Sequence, residues 1–281
     1  MTRPRFRLAT ADEAAWYSGK LYPLQDRIFE VVSDYKDSLV LTGGTALARL
    51  YFEHRYSEDV DLFTLQPQAG RLGRDLGNAL VGAGFRVETV QATPDFFRAL
   101  VSDGVTAVQV DVAPDSPPLV VPARTALGVF AHDLRDLAAN KISAYENRAE
   151  VKDAADLFYL SQSRAWSAMF ADADVKRVPI AYEDLQHFLQ QPLTGEALLT
   201  REISDQQFDE FVATLHTEIA AEIKKKVRAA TERIAEISSS LLWDTPPEDR
   251  TVNERTRPVL ARRAKDLSLP QRIALLEALN R

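Results

Sequence analysis

The chain has 281 residues, 46% of them apolar and 27% charged, a balance that suits one or two globular bodies and excludes a disordered chain. No run of about 18 apolar residues exists to span a bilayer, and the start turns acidic by Asp12-Glu13 where a secretory signal needs an apolar stretch, so a cytoplasmic protein with no membrane partner is expected. The absence of cysteine excludes a disulfide framework, thiolate metal sites and thiol nucleophiles.

In chain order, Thr10-Ala-Asp-Glu13 has the form of a capping box, and Pro23 stands where a second helix can begin ahead of Leu24, Ile28, Val31 and Val32. Ser38–Thr42 reads as a short buried strand closed by Gly43-Gly44, with a helix from Thr45 to about Phe52. Asp59–Leu65 alternates with period two, which places Asp59, Asp61 and Phe63 on one face and Val60, Leu62 and Thr64 on the other. A helix striped by Leu72, Leu76 and Leu80 precedes a strand at Phe85–Val90. Strands at Phe96–Val101 and Val105–Val112 flank the turn Ser102-Asp103-Gly104. Prolines 114, 117, 118 and 122 interrupt the pattern, and from Leu134 the sequence reads as helical to its end, with starts at Ser204–Gln207 and Ser268–Gln271. Asp205 to about Ser238 holds no proline or glycine, enough for one helix of about 50 Å; Asp244–Asp249 breaks it. Strands first and helices after is an α+β order. The division expected is a core over 1–132 and a helical region over 133–281, whose first part, 133–160, completes the site.

Charge is uneven along this order. The whole chain carries −7, yet residues 221–281 hold 13 Lys/Arg against 9 Asp/Glu, leaving −11 on the first 220. The basic tail, with Lys224-Lys-Lys226, Arg228, Arg262-Arg263 and Lys265, is either a solvated helical surface or a face for RNA.

A bound triphosphate needs hydrogen-bond donors for its oxygens and carboxylates that share metal ions with it. Gly43, Gly44 and Thr45 form a turn where backbone amides can approach an anion, and Asp59 and Asp61, two apart on a strand, project from one face with oxygen ligands that suit magnesium. Either feature alone is commonly an ordinary turn or a solvated strand edge; together they place phosphate donors and metal ligands at adjacent strand ends. Asp111, in the alternating run Val108–Val112, is either an exposed strand residue or the third carboxylate of the metal set Asp59, Asp61 and Asp111, one of which can also take the proton from an attacking hydroxyl. Arg55 either braces the loop before Asp59 or touches phosphate, Ser57 can donate to it, and His54 reads as a structural hydrogen-bonding residue. No Gly-x-Ser-x-Gly elbow, Walker lysine motif or Gly-x-Gly-x-x-Gly fingerprint is present.

Leu41-Thr-Gly-Gly-Thr-Ala-Leu47 followed by His54-Arg-Tyr-Ser-Glu-Asp-Val-Asp-Leu-Phe63 resembles the signature of the AbiEii/AbiGii toxin family, whose fold is that of the DNA polymerase β nucleotidyltransferases. A second block agrees: Lys141, Arg148 seven residues on, then Lys152-Asp153-Ala-Ala-Asp156-Leu157, with lysine at 152 where the family commonly has arginine. The resemblance implies a metal-dependent nucleotidyltransferase that uses Mg2+ (or Mn2+) and a nucleoside triphosphate, with RNA, tRNA among the choices, as acceptor and a cognate antitoxin as partner. It also implies catalytic importance for Lys141, Arg148, Asp153 and Asp156. On a continuous helix Lys141, Tyr145, Arg148 and Lys152 would share a face fit to clamp phosphates; Asp153 and Asp156 would orient those cations, or Asp156 would act as a base. The rival reading is a catalytically silent nucleotide-binding regulator or interaction module on the same fold.

Overall fold

The computed structural model describes residues 5–36, 38–148, 150–178, 180–188, 193–243 and 267–279. After a short strand β1 (Arg5–Leu8), the capping box at Thr10 forms as the sequence demands. Its hydroxyl accepts the Glu13 amide while the Glu13 carboxylate accepts the Thr10 amide at 2.8 Å, and α1 (Ala11–Trp16) begins there. The two helices expected here are one rod, because α1 passes through a π-helical turn, Tyr17–Leu21, into α2 (Tyr22–Val32). Pro23 supplies no amide to the preceding turn, and the wider winding accommodates its ring without ending the helix.

A seven-stranded mixed sheet follows: β2 (Val40–Thr42), β3 (Val60–Thr64), β4 (Arg86–Ala92), β5 (Phe97–Ser102), β6 (Ala107–Pro114), β7 (Ala123–Arg124) and β8 (Phe130–Ala131), in the order β4-β5-β6-β3-β2-β8-β7. β3 runs parallel to β6 and antiparallel to β2, so two segments far apart in sequence flank the strand with the acidic pair. The period-two reading holds: Val60, Leu62 and Thr64 are buried, as are Val108, Val110 and Val112 of β6. The β5–β6 hairpin closes one residue later than expected, through Asp103–Thr106, with Ser102 paired to Ala107 and Asp103 Oδ1 accepting the amides of Val105 and Thr106 at 2.9 Å. Gly43 starts the four-residue α3 (Gly43–Ala46), which continues as a π-helical turn, Leu47–Phe52. α4 (Ala69–Gly82) buries Leu76 and Leu80 and also a glycine face, where a Cβ on Gly73 would lie 2.3 Å from that of Phe97.

The helices after the sheet are α5 (Leu134–Arg148), α6 (Val151–Ser163), α7 (Trp166–Lys176), α8 (Tyr182–Phe188), α9 (Asp205–Trp243) and α10 (Leu269–Leu279). α6 is buried on nearly every side, Val151, Ala154, Ala155, Leu157 and Leu160 along with Asp153 and Asp156, which forces those two carboxylates to find partners inside. Buried Lys176 of α7 meets Asp115 at 2.8 Å and Asp136 at 3.0 Å, and Asp136 accepts the amide of Leu119 at 3.0 Å, which pins the proline-rich stretch after β6.

Two expectations are corrected. The sequence after Leu134 is not wholly helical: Glu196–Leu199 forms β9, which pairs in parallel with β1. Glu-Ala-Leu-Leu has no strand propensity of its own, and only the pairing makes it one. The continuous helix over 141–152 is also broken: α5 ends at Arg148, Glu150 is extended, and Val151 donates its amide to Thr194 O at 2.9 Å before α6 begins.

The chain packs as two compact units, Met1–Thr214 and Leu215–Arg281. The sheet and α1 to α8 belong to the first. α9 begins with a reciprocal cap between Ser204 and Gln207, and α10 with one between Ser268 and Gln271. In the second unit Ile219 and Ile234 are buried, and Arg272 donates to Leu267 O at 2.9 Å and to the Thr231 hydroxyl. The expected break at Asp244–Asp249 and the cations Arg262, Arg263 and Lys265 lie outside the described residues. Among the described residues no helix is long and apolar enough to cross a membrane.

Candidate active site

Strand register lines up a row of polar side chains across the middle of the sheet. Thr42 of β2 is opposite Asp61 of β3, Asp61 is beside Asp111 of β6, and Asp111 is opposite Arg98 of β5. Asp59 sits just before β3, half-buried, with Lys152 Nζ at 3.8 Å. Burial pushes the Asp61 carboxyl up to about 6, and the neighbouring charges of Asp59 and Asp111 add to the rise. Burial likewise raises Asp59, opposed by Lys152 and reinforced by Asp111 and Glu58. Carboxylates raised by burial and by neighbouring negative charge favour a cation beside them, and an all-oxygen donor set suits a hard divalent ion.

Asp111 is in a different state. Arg98 grips it with two charge-assisted bonds, Nε to Oδ1 at 2.9 Å and Nη2 to Oδ2 at 2.6 Å. Among the described residues, no group of three or more His, Asp or Glu side chains is set as a ready metal cage. The residues that fit a metal are therefore Asp59 and Asp61, with Asp111 adjacent and engaged elsewhere.

The Gly43-Gly44 turn has a reason that spacing alone does not reveal. Gly43 has φ +67°, and a Cβ there would lie 2.1 Å from Asp61 Oδ2; a Cβ on Gly44 would lie 2.0 Å from Arg55 Nη2. Both glycines make room for charged side chains. Gly44 and Ser57 line the cleft, while Thr45 is buried behind them, its hydroxyl on Ser57 Oγ at 2.9 Å and on the Asp59 carbonyl. Gly44→Ala is expected to lower stability by about 1–3 kcal/mol, since Arg55 is fixed and cannot give way. Urea unfolding checks this, and an unchanged midpoint would contradict the fixed-arginine reading.

Arg55 is fixed by Asp156. Its Nε and Nη2 reach the two carboxylate oxygens at 2.7 and 2.8 Å, His54 Nε2 adds a bond at 2.7 Å, and Lys141 Nζ lies 2.8 Å away. Lys141 also reaches Asp153 at 3.1 Å, and Arg148 holds Asp153 through two bonds of 2.6 and 2.8 Å. The break at Glu150 is what folds α6 back so that Asp153 and Asp156 face the cations of α5. Burial alone would raise Asp156, but Arg55 and Lys141 outweigh it and hold the group well below the usual carboxylate range. Asp153 is lowered the same way, against its burial, by Lys141 and Arg148. Burial lowers His54, which is therefore neutral near pH 7 and donates through Nε2; among the described residues its buried Nδ1 meets no hydrogen-bond partner.

The two sets meet in one cleft of about 750 Å³, lined by Asp59, Asp61 and Asp111 and by Lys141, Arg148 and Lys152. Arg98 was not singled out from the sequence: a turn at Ser102–Gly104 would set it opposite Val108, and only the longer connection Asp103–Thr106, which pairs Ser102 with Ala107, brings it opposite Asp111. Arg7 and Glu196, from the β1–β9 pair, also line the cleft and had no sequence signal.

The model of the family described as nucleotidyl transferase AbiEii toxin, type IV toxin–antitoxin system, matches residues 27–236. The chain belongs to the AbiEii family. It is thus a nucleotidyltransferase of a toxin–antitoxin class, and the expected resemblance and α+β fold are borne out. The AbiEii chain shares its fold with JHP933 from Helicobacter pylori, at 17% identity and TM-score 0.51 over 77% of this chain and 96% of that one. A second neighbour is MenT4, the nucleotidyltransferase toxin Rv2826c of Mycobacterium tuberculosis H37Rv, at 16% identity and TM-score 0.52 over 93% of this chain and 94% of that one. No curated protein matches the sequence.

Proposed function

We propose that this nucleotidyltransferase moves a nucleotide from a nucleoside triphosphate onto a hydroxyl of RNA, tRNA being one such acceptor, with Mg2+ (or Mn2+) held by Asp59 and Asp61. The observation that carries this is that one cleft is lined both by the raised carboxyls of Asp59 and Asp61 and by the cations Lys141, Arg148 and Lys152, a donor set that suits a metal–triphosphate. The acceptor oxygen attacks the α-phosphorus, the bond to the β-phosphate oxygen breaks, and pyrophosphate leaves. The metal, when bound, would neutralise phosphate charge and polarise the reacting centre. Arg148 and Lys152, whose side chains are 46% and 35% exposed in the cleft, would meet the β- and γ-phosphates. Lys141, held by Asp153 and Asp156, adds a fixed buried charge behind them. Asp111 would take the acceptor proton once Arg98 leaves it. Asp156, held ionised, positions Arg55 and Lys141 and does not act as a base.

RNA is favoured by the cations of α9, where the Lys225 side chain is 57% exposed and that of Arg228 78% exposed. Replacing Lys224, Lys225 and Arg228 by glutamine is expected to weaken RNA binding and reduce the log-affinity against log-salt slope by about 2–3, leaving triphosphate affinity as it was. An unchanged slope would favour a protein or small-molecule acceptor. One observation favours the rival, silent regulator: the grip of Arg98 on Asp111. Pyrophosphate release that depends on RNA and divalent metal excludes the regulator; saturable triphosphate binding without release supports it.

A further inference from the structure

The cleft has one wall that neither the metal set nor the phosphate cations use. Trp16, the last residue of α1, is 42% exposed and lines the cleft beside Tyr17 and Tyr56. Its ring stands edge-on to Tyr17 at 5.0 Å, and Tyr17 stacks on Tyr56 at 4.2 Å with planes 24° apart. Tyr22 closes the cluster from below, 5.9 Å from Tyr17 and 6.1 Å from Tyr56. The cluster is held rigidly, because the Tyr17 hydroxyl donates to Glu58 at 2.5 Å and Tyr17 lies in the π-helical turn that follows Trp16. A lone exposed tryptophan is unremarkable on a surface. This one differs in its neighbours, since the other side chains around the cleft are overwhelmingly charged or polar and Glu58 is the residue next to Asp59.

We infer that Trp16, backed by Tyr17 and Tyr56, is a stacking platform for the nucleobase of the incoming triphosphate. The inference rests on the nucleotidyl-transfer reading above and adds the subsite that separates a nucleotide from a bare polyphosphate. Three facts carry it. A planar apolar group on a fixed support offers a face to a planar ligand at little entropic cost. The Tyr17 hydroxyl donates to Glu58, the residue before Asp59, so the face and the metal carboxylates line the same cleft and one nucleotide could occupy both. The cleft, at about 750 Å³, is within the range that holds a ligand of nucleotide size. Stacking is tolerant of base identity, so the platform selects nucleotides as a class and discriminates weakly among the four bases.

The test compares calorimetric affinities of ATP, CTP, GTP, UTP and inorganic tripolyphosphate, each with magnesium, for the full chain and for Trp16→Ala and Trp16→Phe. Trp16→Ala is expected to weaken every nucleoside triphosphate by about tenfold, the equivalent of one base–aromatic stack of about 1.4 kcal/mol, and to leave tripolyphosphate unchanged. Trp16→Phe should retain most of the affinity. Equal nucleotide affinity in Trp16→Ala would overturn the inference, as would a parallel loss of tripolyphosphate, which would mark a merely structural role. Weakened binding of a short RNA with nucleotide affinity unchanged would also overturn it, by assigning the platform to the acceptor. If the unaltered protein binds neither tripolyphosphate nor any nucleotide, the nucleotidyl-transfer reading fails first and this inference with it.

Discussion

Asp61→Asn is expected to abolish nucleotide transfer while leaving the protein as stable as before or more so. The carboxyl is pushed up to about 6, from an ordinary 3.8, by burial and by Asp59 and Asp111, so at neutral pH the fold carries an ionised group that it disfavours. A group raised in the folded state destabilises the fold as pH climbs from its unfolded value through its folded one. The penalty is absent below about pH 4 and full above about pH 7, where it amounts to at most about 3 kcal/mol. Asparagine removes the penalty, so the variant should melt at a higher temperature at pH 7 and at the same temperature as the parent near pH 4. Transfer should fall at least a hundredfold, since even groups that only support a metal ligand cost about 10–100-fold when removed. Divalent metal should raise the melting point of the parent and leave that of the variant unmoved. A variant that melts lower at pH 7 would show that Asp61 is structural, and one that keeps its metal response would remove it from the metal set.

Asp156→Ala is expected to do the reverse, destabilising strongly. Its carboxylate is fully buried and bound by Arg55, His54 and Lys141, and its loss takes from buried Arg55 the carboxylate that holds it and leaves Lys141 with Asp153, a change that costs about 3–5 kcal/mol. Held well below the ordinary range, the group contributes stability that is fully present above about pH 4 and is lost only as pH falls through its depressed value. Denaturant unfolding across pH checks both statements. A variant of normal stability whose only defect is a flattened basic limb in the rate profile would instead identify Asp156 as a proton acceptor. Asp153→Ala should cost less, because Arg148 is half-exposed and regains water.

These contrasts explain what could be read from the residues. The acidic pair was legible because a strand's period of two fixes which side chains share a face, and Asp111 because the valines around it alternate with the same period. Gly43-Gly44 was legible as a turn but its cause was not: the positions exclude a Cβ because Asp61 and Arg55 fold over them, a contact made across the sheet. Lys141, Arg148, Asp153 and Asp156 were recognised by spacing, yet the continuous helix drawn through them was wrong. Their meeting depends on a break at Glu150 that neither proline nor glycine announces. β1 and β9 were invisible for a related reason, since four residues of each become strand only by pairing with the other. Arg98 was out of reach for a similar reason, since a hairpin closed at Ser102–Gly104 would set it opposite Val108, and the observed pairing of Ser102 with Ala107 shifts its partner to Asp111.

The most direct test of the account follows the phosphorus atoms. The protein is incubated with magnesium, RNA and a triphosphate labelled either at the α- or at the γ-phosphate, with Asp59→Asn and Asp61→Asn in parallel. The α-label should enter RNA and the γ-label should leave as pyrophosphate, both only with the unaltered protein. Transfer of the γ-label, or bound triphosphate that yields neither product, would contradict nucleotidyl transfer to RNA by this site.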